Sequence, residues 1–186
     1  MHIGFAMCGS FCTFSKVVPI IELLSRDYEI TPILSHAAAT MNTRFGKADD
    51  LIYQISEICG KKPFLNLNDV EPIGPKKLFD ALIIAPCTGN TIAKLAHSIS
   101  DGPVTMAAKS HLRNGRPVLI AISTNDALAG SAENIGRLLN KKHIYFVPFG
   151  QDDPFEKPAS LVADFTSIPT ALDLALNGKQ LQPLLV

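Results

Sequence analysis

The segment Ala81-Leu-Ile-Ile-Ala-Pro-Cys-Thr-Gly-Asn-Thr-Ile-Ala-Lys-Leu-Ala96 carries an apolar run, a polar turn and a helical pattern in direct succession. The apolar residues 81–85 are typical of a strand that is covered on both faces of a sheet, and Pro86 is predicted to end that strand. Hydroxyls, an amide and the free N–H groups of a helix start can bind an anion such as phosphate. The segment therefore predicts an α/β protein with an anion site where the strand passes into the helix. The polar side chains expected there are Thr88, Asn90 and Thr91.

Strands and helices are predicted to alternate along the rest of the chain. Residues 60–78 are rich in Gly, Pro and Asn and predict a long loop with one short strand at 64–67, and the polar segment 151–158 predicts an exposed arm. This alternation favours a three-layer α/β/α, Rossmann-like fold with a doubly wound, mostly parallel sheet, built as one domain over residues 1–186. The predicted strands are 2–7, 29–34, 81–85, 117–122 and 143–147. The predicted helices are 13–25, 47–59, 91–99, 104–111, 132–140 and one within 160–176.

The composition of the chain argues against nucleic-acid binding, membrane binding and metal binding. The chain has 186 residues, and its 17 basic and 17 acidic residues cancel without a basic block, so nucleic acid is not an expected partner. No apolar run is long enough to span a bilayer, so a cytoplasmic protein that binds no membrane is expected. Cys8 and Cys12 lack the further ligands of a structural zinc site, so no metal is expected.

Polar residues follow the other predicted strands as well. Because the carboxyl ends of parallel strands meet at one edge of a sheet, these loops are expected to converge on one ligand site. Glycine permits close approach to a ligand, and hydroxyls can bind phosphate. The residues concerned are Gly9, Ser10 and Thr13 after the first strand, Ser35 and His36 after the second, and Ser123 and Asn125 after the fourth.

Residues 85–96 resemble the Ala-Pro-Ala-(Ser/Thr)-Ala-Asn-Thr-hydrophobic-Ala-Lys signature of the FMN-binding flavoproteins, a family that includes cysteine decarboxylases and flavin prenyltransferases. The resemblance implies a Rossmann-like flavoprotein fold with FMN at the strand ends. It also implies a homo-oligomer, a trimer or a multiple of trimers, with the flavin at subunit contacts. The cofactor-binding residues implied in this way are Gly9, Ser10, Thr13, Ser35, Pro86, Thr88, Asn90, Thr91 and Ser123.

The chain departs from the decarboxylases of that family at two places. Their catalytic His, followed by Ile and lying eight residues before an Asp, corresponds here to Pro72, upstream of Asp80. Proline cannot exchange protons, so decarboxylation by the usual route is not expected. Their Met-Asn pair corresponds to Thr124 and Asn125, and the resemblance implies that Asn125 contacts a substrate carboxylate.

Within the family, residues 7–14 and 121–130 resemble a subunit that works with an NAD(P)-dependent partner in oxidising a small dicarboxylate. The chain has no G-x-G-x-x-G fingerprint, so nicotinamide is expected on the partner. Arg44 is the expected anchor for a substrate carboxylate, and His36 the expected catalytic acid or base. Two alternatives stay open: a non-catalytic scaffold that activates the partner, and an FMN-dependent decarboxylase or flavin prenyltransferase.

Overall fold

The computed structural model describes residues 1–186 as a sheet of seven strands flanked by helices. None of the helices combines the length and the apolar character that a bilayer crossing requires. The strands are β1 (His2–Met7), β2 (Glu29–Leu34), β3 (Ala81–Cys87), β4 (Val118–Thr124), β5 (Ile144–Phe146), β6 (Phe149–Asp153) and β7 (Lys157–Ala163). The helices are α1 (Phe14–Leu24), α2 (His36–Thr40), α3 (Ala48–Cys59), α4 (Leu67–Val70), α5 (Ile73–Lys76), α6 (Gly89–Ala96), α7 (Pro103–Leu112), α8 (Ala132–Leu139) and α9 (Ile168–Leu176).

The sheet is mostly parallel, as predicted. Its strands follow the order β2-β1-β3-β4-β7-β6, with β5 paired to β4. Strands β1 to β5 are mutually parallel, whereas β7 pairs antiparallel with Ser123 and Thr124 at the end of β4 and with β6. Because the parallel strands all point the same way, the loops that follow β1, β2, β3 and β4 lie at one edge of the sheet.

The core is centred on β3. All seven residues of this strand are buried, since β1 and β4 pair with its two sides and helices cover its faces. Such a strand reads as an unbroken apolar run because neither of its faces meets water. The surrounding apolar cluster contains 49 buried residues, so the strands that position the loops belong to the best-packed part of the chain.

The prediction that Pro86 ends the third strand is wrong. Pro86 lies inside β3, which continues to Cys87. The pairing of β3 with β4 shifts register between Ile84 and Cys87, and such an irregularity accommodates a residue without an N–H donor. Strand β3 therefore reaches further toward the ligand edge than its sequence indicates.

Two further segments correct the predicted outline. Residues 60–78 are not one long loop, because they contain α4 and α5, and the short strand predicted at 64–67 is reduced to a single bridge between Ile33 and Phe64. The predicted arm 151–158 is the distal end of the β6–β7 hairpin, with Phe155 in its turn 93% exposed. This end is polar and lacks the apolar alternation by which strands are recognised.

His111 on α7 is a buried histidine that supports this packing. Its Nε2 donates to the carbonyl oxygen of Pro117, 3.0 Å away, and burial lowers the pKa of His111 to about 4. The ring therefore stays neutral in the folded chain at pH values at which it is protonated in the unfolded chain.

We predict that His111 makes the fold less stable in mild acid. Between pH 7 and pH 5 the unfolded chain takes up a proton at His111 that the folded chain does not, which lowers the free energy of unfolding by about 2 kcal/mol. Urea unfolding at the two pH values, for the wild type and for His111→Gln, measures this contribution. The pH-dependent loss should be smaller by that amount in the variant; an equal loss in both proteins would contradict the prediction.

Candidate functional site

Two adjoining clefts lie at the carboxyl edge of the sheet, where the predicted site residues were expected. The larger encloses about 880 Å³ and the smaller about 480 Å³. Both are bordered by Gly9, Thr88 and Asn90, so together they form one continuous region. This position, beyond the ends of the parallel strands, is where ligands bind in open α/β sheets.

The larger cleft gathers the loops that follow β1, β3 and β4. The hydroxyl groups of Ser10 and Ser123 are 2.7 Å apart and join two of these loops directly. Thr13 Oγ1 donates to the carbonyl oxygen of Ser10 at 2.8 Å, which fixes the turn that follows β1. Seven of the predicted site residues border this cleft: Gly9, Ser10, Thr13, Thr88, Asn90, Ser123 and Asn125.

The smaller cleft lies between the end of β2 and the starts of α6 and α7. Ser35 is the N-cap of α2, and its Oγ accepts a hydrogen bond from the backbone N–H of Ala38 at 3.3 Å. His36 is exposed and borders only this cleft. The remaining predicted residues here are Gly9, Thr88, Asn90 and Thr91.

The start of α6 offers backbone donors to this region. Thr88 is its N-cap residue but makes no side-chain capping bond; its hydroxyl donates instead to Thr91 Oγ1 at 3.3 Å. The first N–H groups of a helix have no partner inside the helix. Because α6 also lacks a side-chain cap, its first turn can donate to a bound anion.

Gly9 and Gly89 allow neighbouring segments to approach closely around the larger cleft, because neither residue has a Cβ atom. A Cβ atom at Gly9 would lie 3.1 Å from the Ala37 Cβ, and one at Gly89 would lie 2.6 to 2.8 Å from three side-chain oxygens. These oxygens belong to Ser131, Asp126 and Thr124. The larger cleft therefore keeps its shape only with a residue that has no side chain at position 89.

The sequence places Asp126 at the ligand edge after the fourth strand, although no binding or catalytic role is predicted for it. Its Oδ1 accepts hydrogen bonds from Thr124 Oγ1 at 2.6 Å and from Ser131 Oγ at 3.0 Å. The same oxygen lies against Gly89 at the start of α6, where a negative charge is favourable. Its position directly after Asn125 was the available signal, because an acidic residue beyond the end of a buried strand reaches the ligand edge.

Lysines also border the larger cleft, and these were missed. Lys16 reaches it from α1 and Lys157 from β7, where Lys157 pairs with Asp152 at 2.8 Å. No local pattern distinguishes Lys16 from the other charges on an amphipathic helix, and Lys157 lies on a strand that was not predicted.

Two predicted residues lie outside both clefts. Pro86 is buried, and its carbonyl oxygen accepts the Cys8 N–H at 3.1 Å, so it connects β3 to the loop after β1. Arg44 is exposed and lies over the ring of Phe45, 4.8 Å from its centroid. Phe45 itself borders the larger cleft, but Arg44 does not, because the chain turns outward after α2.

Cys8 and Cys87 carry two buried thiols, of which Cys8 borders the smaller cleft. Thr91 Oγ1 donates to Cys8 Sγ at 3.2 Å. The hydrogen bond from Cys87 lowers the pKa of Cys8, whereas burial raises the pKa of Cys87. The structure contains no cluster of three His, Cys, Asp or Glu side chains that could hold a metal ion.

We predict that Gly89→Ala disrupts this edge of the sheet. The added methyl group overlaps oxygens on three side chains, which should lower the free energy of unfolding by about 1–3 kcal/mol. Gly136→Ala is the matched control, because a Cβ there meets nothing within 4 Å and alanine favours the interior of α8 by about 0.5–1 kcal/mol. Thermal unfolding compares the two variants; a Gly89→Ala protein as stable as Gly136→Ala would contradict the packing described here.

Comparisons with known proteins give a consistent result. A family model described as Flavoprotein matches residues 1–165. The B subunit of dipicolinate synthase from Bacillus subtilis (strain 168) is 45% identical over 186 residues, covering 100% of this chain and 93% of that protein. The crystal structure of the same subunit from Bacillus halodurans C has a TM-score of 0.91 at 44% identity, covering 100% of this chain and 95% of that one. DmrB of Burkholderia xenovorans, a cubic protein cage for redox transfer in complex with FMN, shares the fold, with a TM-score of 0.71 at 18% identity over 95% of each chain.

Proposed function

The chain belongs to the flavoprotein family, and from that membership we propose that it binds FMN and acts as the B subunit of a dipicolinate synthase. The observation that carries the proposal is the pair of joined clefts. The smaller cleft contains backbone N–H donors from the start of α6, and the larger, with a volume of about 880 Å³, can accommodate a ring system. Full-length similarity to the dipicolinate synthase subunit of Bacillus subtilis supports the choice among the activities of the family.

The residues present fit FMN. The smaller cleft, with the uncapped start of α6, suits the phosphate group. The larger cleft, with its hydroxyl and amide groups, suits the flavin ring. Bound FMN supplies a two-electron acceptor. We assign its binding to Gly9, Ser10, Thr13, Ser35, Thr88, Asn90, Thr91 and Ser123, with Pro86 acting through its hydrogen bond to the loop that follows β1.

The proposed reaction converts a dihydrodipicolinate-type intermediate into dipicolinate. This conversion removes a hydride and a proton from the ring, and a bound flavin or an NAD(P) on the partner would supply the two-electron acceptor. The residues of this chain would hold the dicarboxylate, with Asn125 at a carboxylate, and exclude water. The role of His36 as an acid or base stays a prediction, since it borders only the smaller cleft.

The proposed partner is the A subunit of dipicolinate synthase, carrying NAD(P), in a sporulating cell. Both of the similar full-length proteins are named as one subunit of this synthase, which supports a two-component enzyme. A homo-oligomer, a trimer or a multiple of trimers, is proposed as well, and the cage described for DmrB supports assembly of this fold into larger particles.

One observation favours a second candidate, a non-catalytic subunit that activates its partner. Pro72 precedes α5 and borders neither cleft, and it has no ionisable group. The position that corresponds to the catalytic His of the decarboxylases therefore cannot transfer a proton. The same observation argues against an FMN-dependent decarboxylase. Experiments must therefore distinguish oxidation of a substrate by this chain from activation of its partner.

Absorption spectroscopy combined with reconstitution tests the proposal. The purified chain, titrated with FMN, should show the perturbed visible band of a bound flavin, and dipicolinate should form only when the dihydro substrate and the NAD(P)-carrying partner are added. Dipicolinate formation that requires both proteins but no flavin would support the activating role. Full turnover by the partner alone would refute both candidates.

A further inference from the structure

The polar groups that border the larger cleft fall into two sets, bonded and free. Both carboxylates are bonded: Asp126 accepts two hydroxyl donors, and Asp152 pairs with Lys157 at 2.8 Å. The hydroxyls of Ser10 and Ser123 bond to each other. Each carboxylate of this cleft therefore has at least one bonded oxygen within the chain.

The side chains of this cleft that have no hydrogen-bond partner include one cation and two amides. The ammonium of Lys16 and the side-chain amides of Asn90 and Asn125 border the cleft, and none of them makes a hydrogen bond or an ion pair anywhere in the chain. Asn90 is shared with the smaller cleft, whereas Lys16 and Asn125 belong to the larger cleft alone. With the charge of Lys157 neutralised by Asp152, Lys16 supplies the one unpaired positive charge of this cleft, and Asp126, whose partners are neutral hydroxyls, supplies the one unpaired negative charge.

Two aromatic rings complete the surroundings. Phe11 precedes α1 and Phe45 lies in the turn after α2, and both border the larger cleft. Phe45 is 53% exposed, and the face of its ring that Arg44 does not cover can pack on a flat ligand. Aromatic walls with free donors suit a planar ring that carries acceptor groups at its periphery.

We propose that Lys16 is the residue that recognises a carboxylate in this site and makes it select a planar dicarboxylate over the corresponding monocarboxylate. The inference deepens the proposed function and rests on it. One carboxylate binds the Lys16 ammonium, and the second takes the Asn125 amide. Lys16 thus takes the part that was expected of Arg44, whose guanidinium lies outside the cleft.

Calorimetric titration of the full-length, FMN-loaded protein tests this assignment. The probes are pyridine-2,6-dicarboxylate and pyridine-2-carboxylate, which differ by one carboxylate on the same ring. Removing a charge-assisted hydrogen bond should weaken binding about 10-fold or more. Lys16→Met should therefore lose that factor for the dicarboxylate. The monocarboxylate should lose less, because its single carboxylate can bind the Asn125 amide once the ammonium is gone, so the ratio of the two affinities falls toward one.

Two further variants sharpen the test. Lys16→Arg keeps a cation at the same place and should restore most of the selectivity. Lys142→Met removes an exposed lysine that borders neither cleft and should leave both affinities unchanged. Thermal unfolding and the flavin absorption band of each variant report whether the fold and the cofactor are retained.

The outcomes separate this inference from the proposed function. An unchanged affinity ratio in Lys16→Met, a loss of selectivity in Lys157→Met instead, or no binding of the dicarboxylate to the wild type would each overturn the role of Lys16. If the chain binds no FMN but the flavin-free protein still loses its dicarboxylate selectivity on Lys16→Met, the role of Lys16 stands and the flavin assignment fails.

Discussion

The two-sided pairing of β3 is the constraint on which the rest of the site depends. Strand β3 lies between β1 and β4, and all seven of its residues are buried. Its backbone groups have no access to water, so their hydrogen bonds to both neighbours must be made within the sheet. A slip in register would leave several of them unpaired, and the loops after β1, β3 and β4 are therefore held at fixed relative positions.

Direct contacts between these loops also fix their relative positions at the ligand edge of the sheet. The Cys8 N–H bonds to the Pro86 carbonyl, and the Ser10 and Ser123 hydroxyls meet across the larger cleft. The buried Cys8 thiol borders the smaller cleft and accepts a hydrogen bond from Thr91 Oγ1. The clefts thus combine a rigid base with polar walls, an arrangement that preorganises donors before any ligand arrives.

Sequence patterns predicted the parts of this structure that depend on burial. Strands β1 and β2 appear at their predicted bounds because a strand covered by helices is recognisable as an apolar run. The β6–β7 hairpin was missed because residues 150–159 are exposed or half-buried and carry no apolar run, and only its two ends, at Phe149 and at 160–163, contain buried residues. Lys16 was missed for a different reason. Its proposed role depends on the ion pair between Asp152 and Lys157, which leaves Lys16 as the unpaired cation of the cleft, and both of those residues are distant from it along the chain. Arg44 was predicted to bind a carboxylate mainly because a guanidinium suits one, but it lies in the turn after α2, outside both clefts.

Asp126 explains how one edge of the sheet can separate two kinds of anion. Its carboxylate lies against Gly89 at the start of α6, on the side of the larger cleft. An anion in that cleft is repelled from this end and attracted toward Lys16 on α1. The smaller cleft is bordered instead by the start of α6 and by the ion pair of Lys94 with Asp101, and the proposed phosphate position lies there, away from Asp126. The proposed separation of the two anions therefore depends on one hydrogen-bonding arrangement, in which Thr124 and Ser131 hold Asp126 in place.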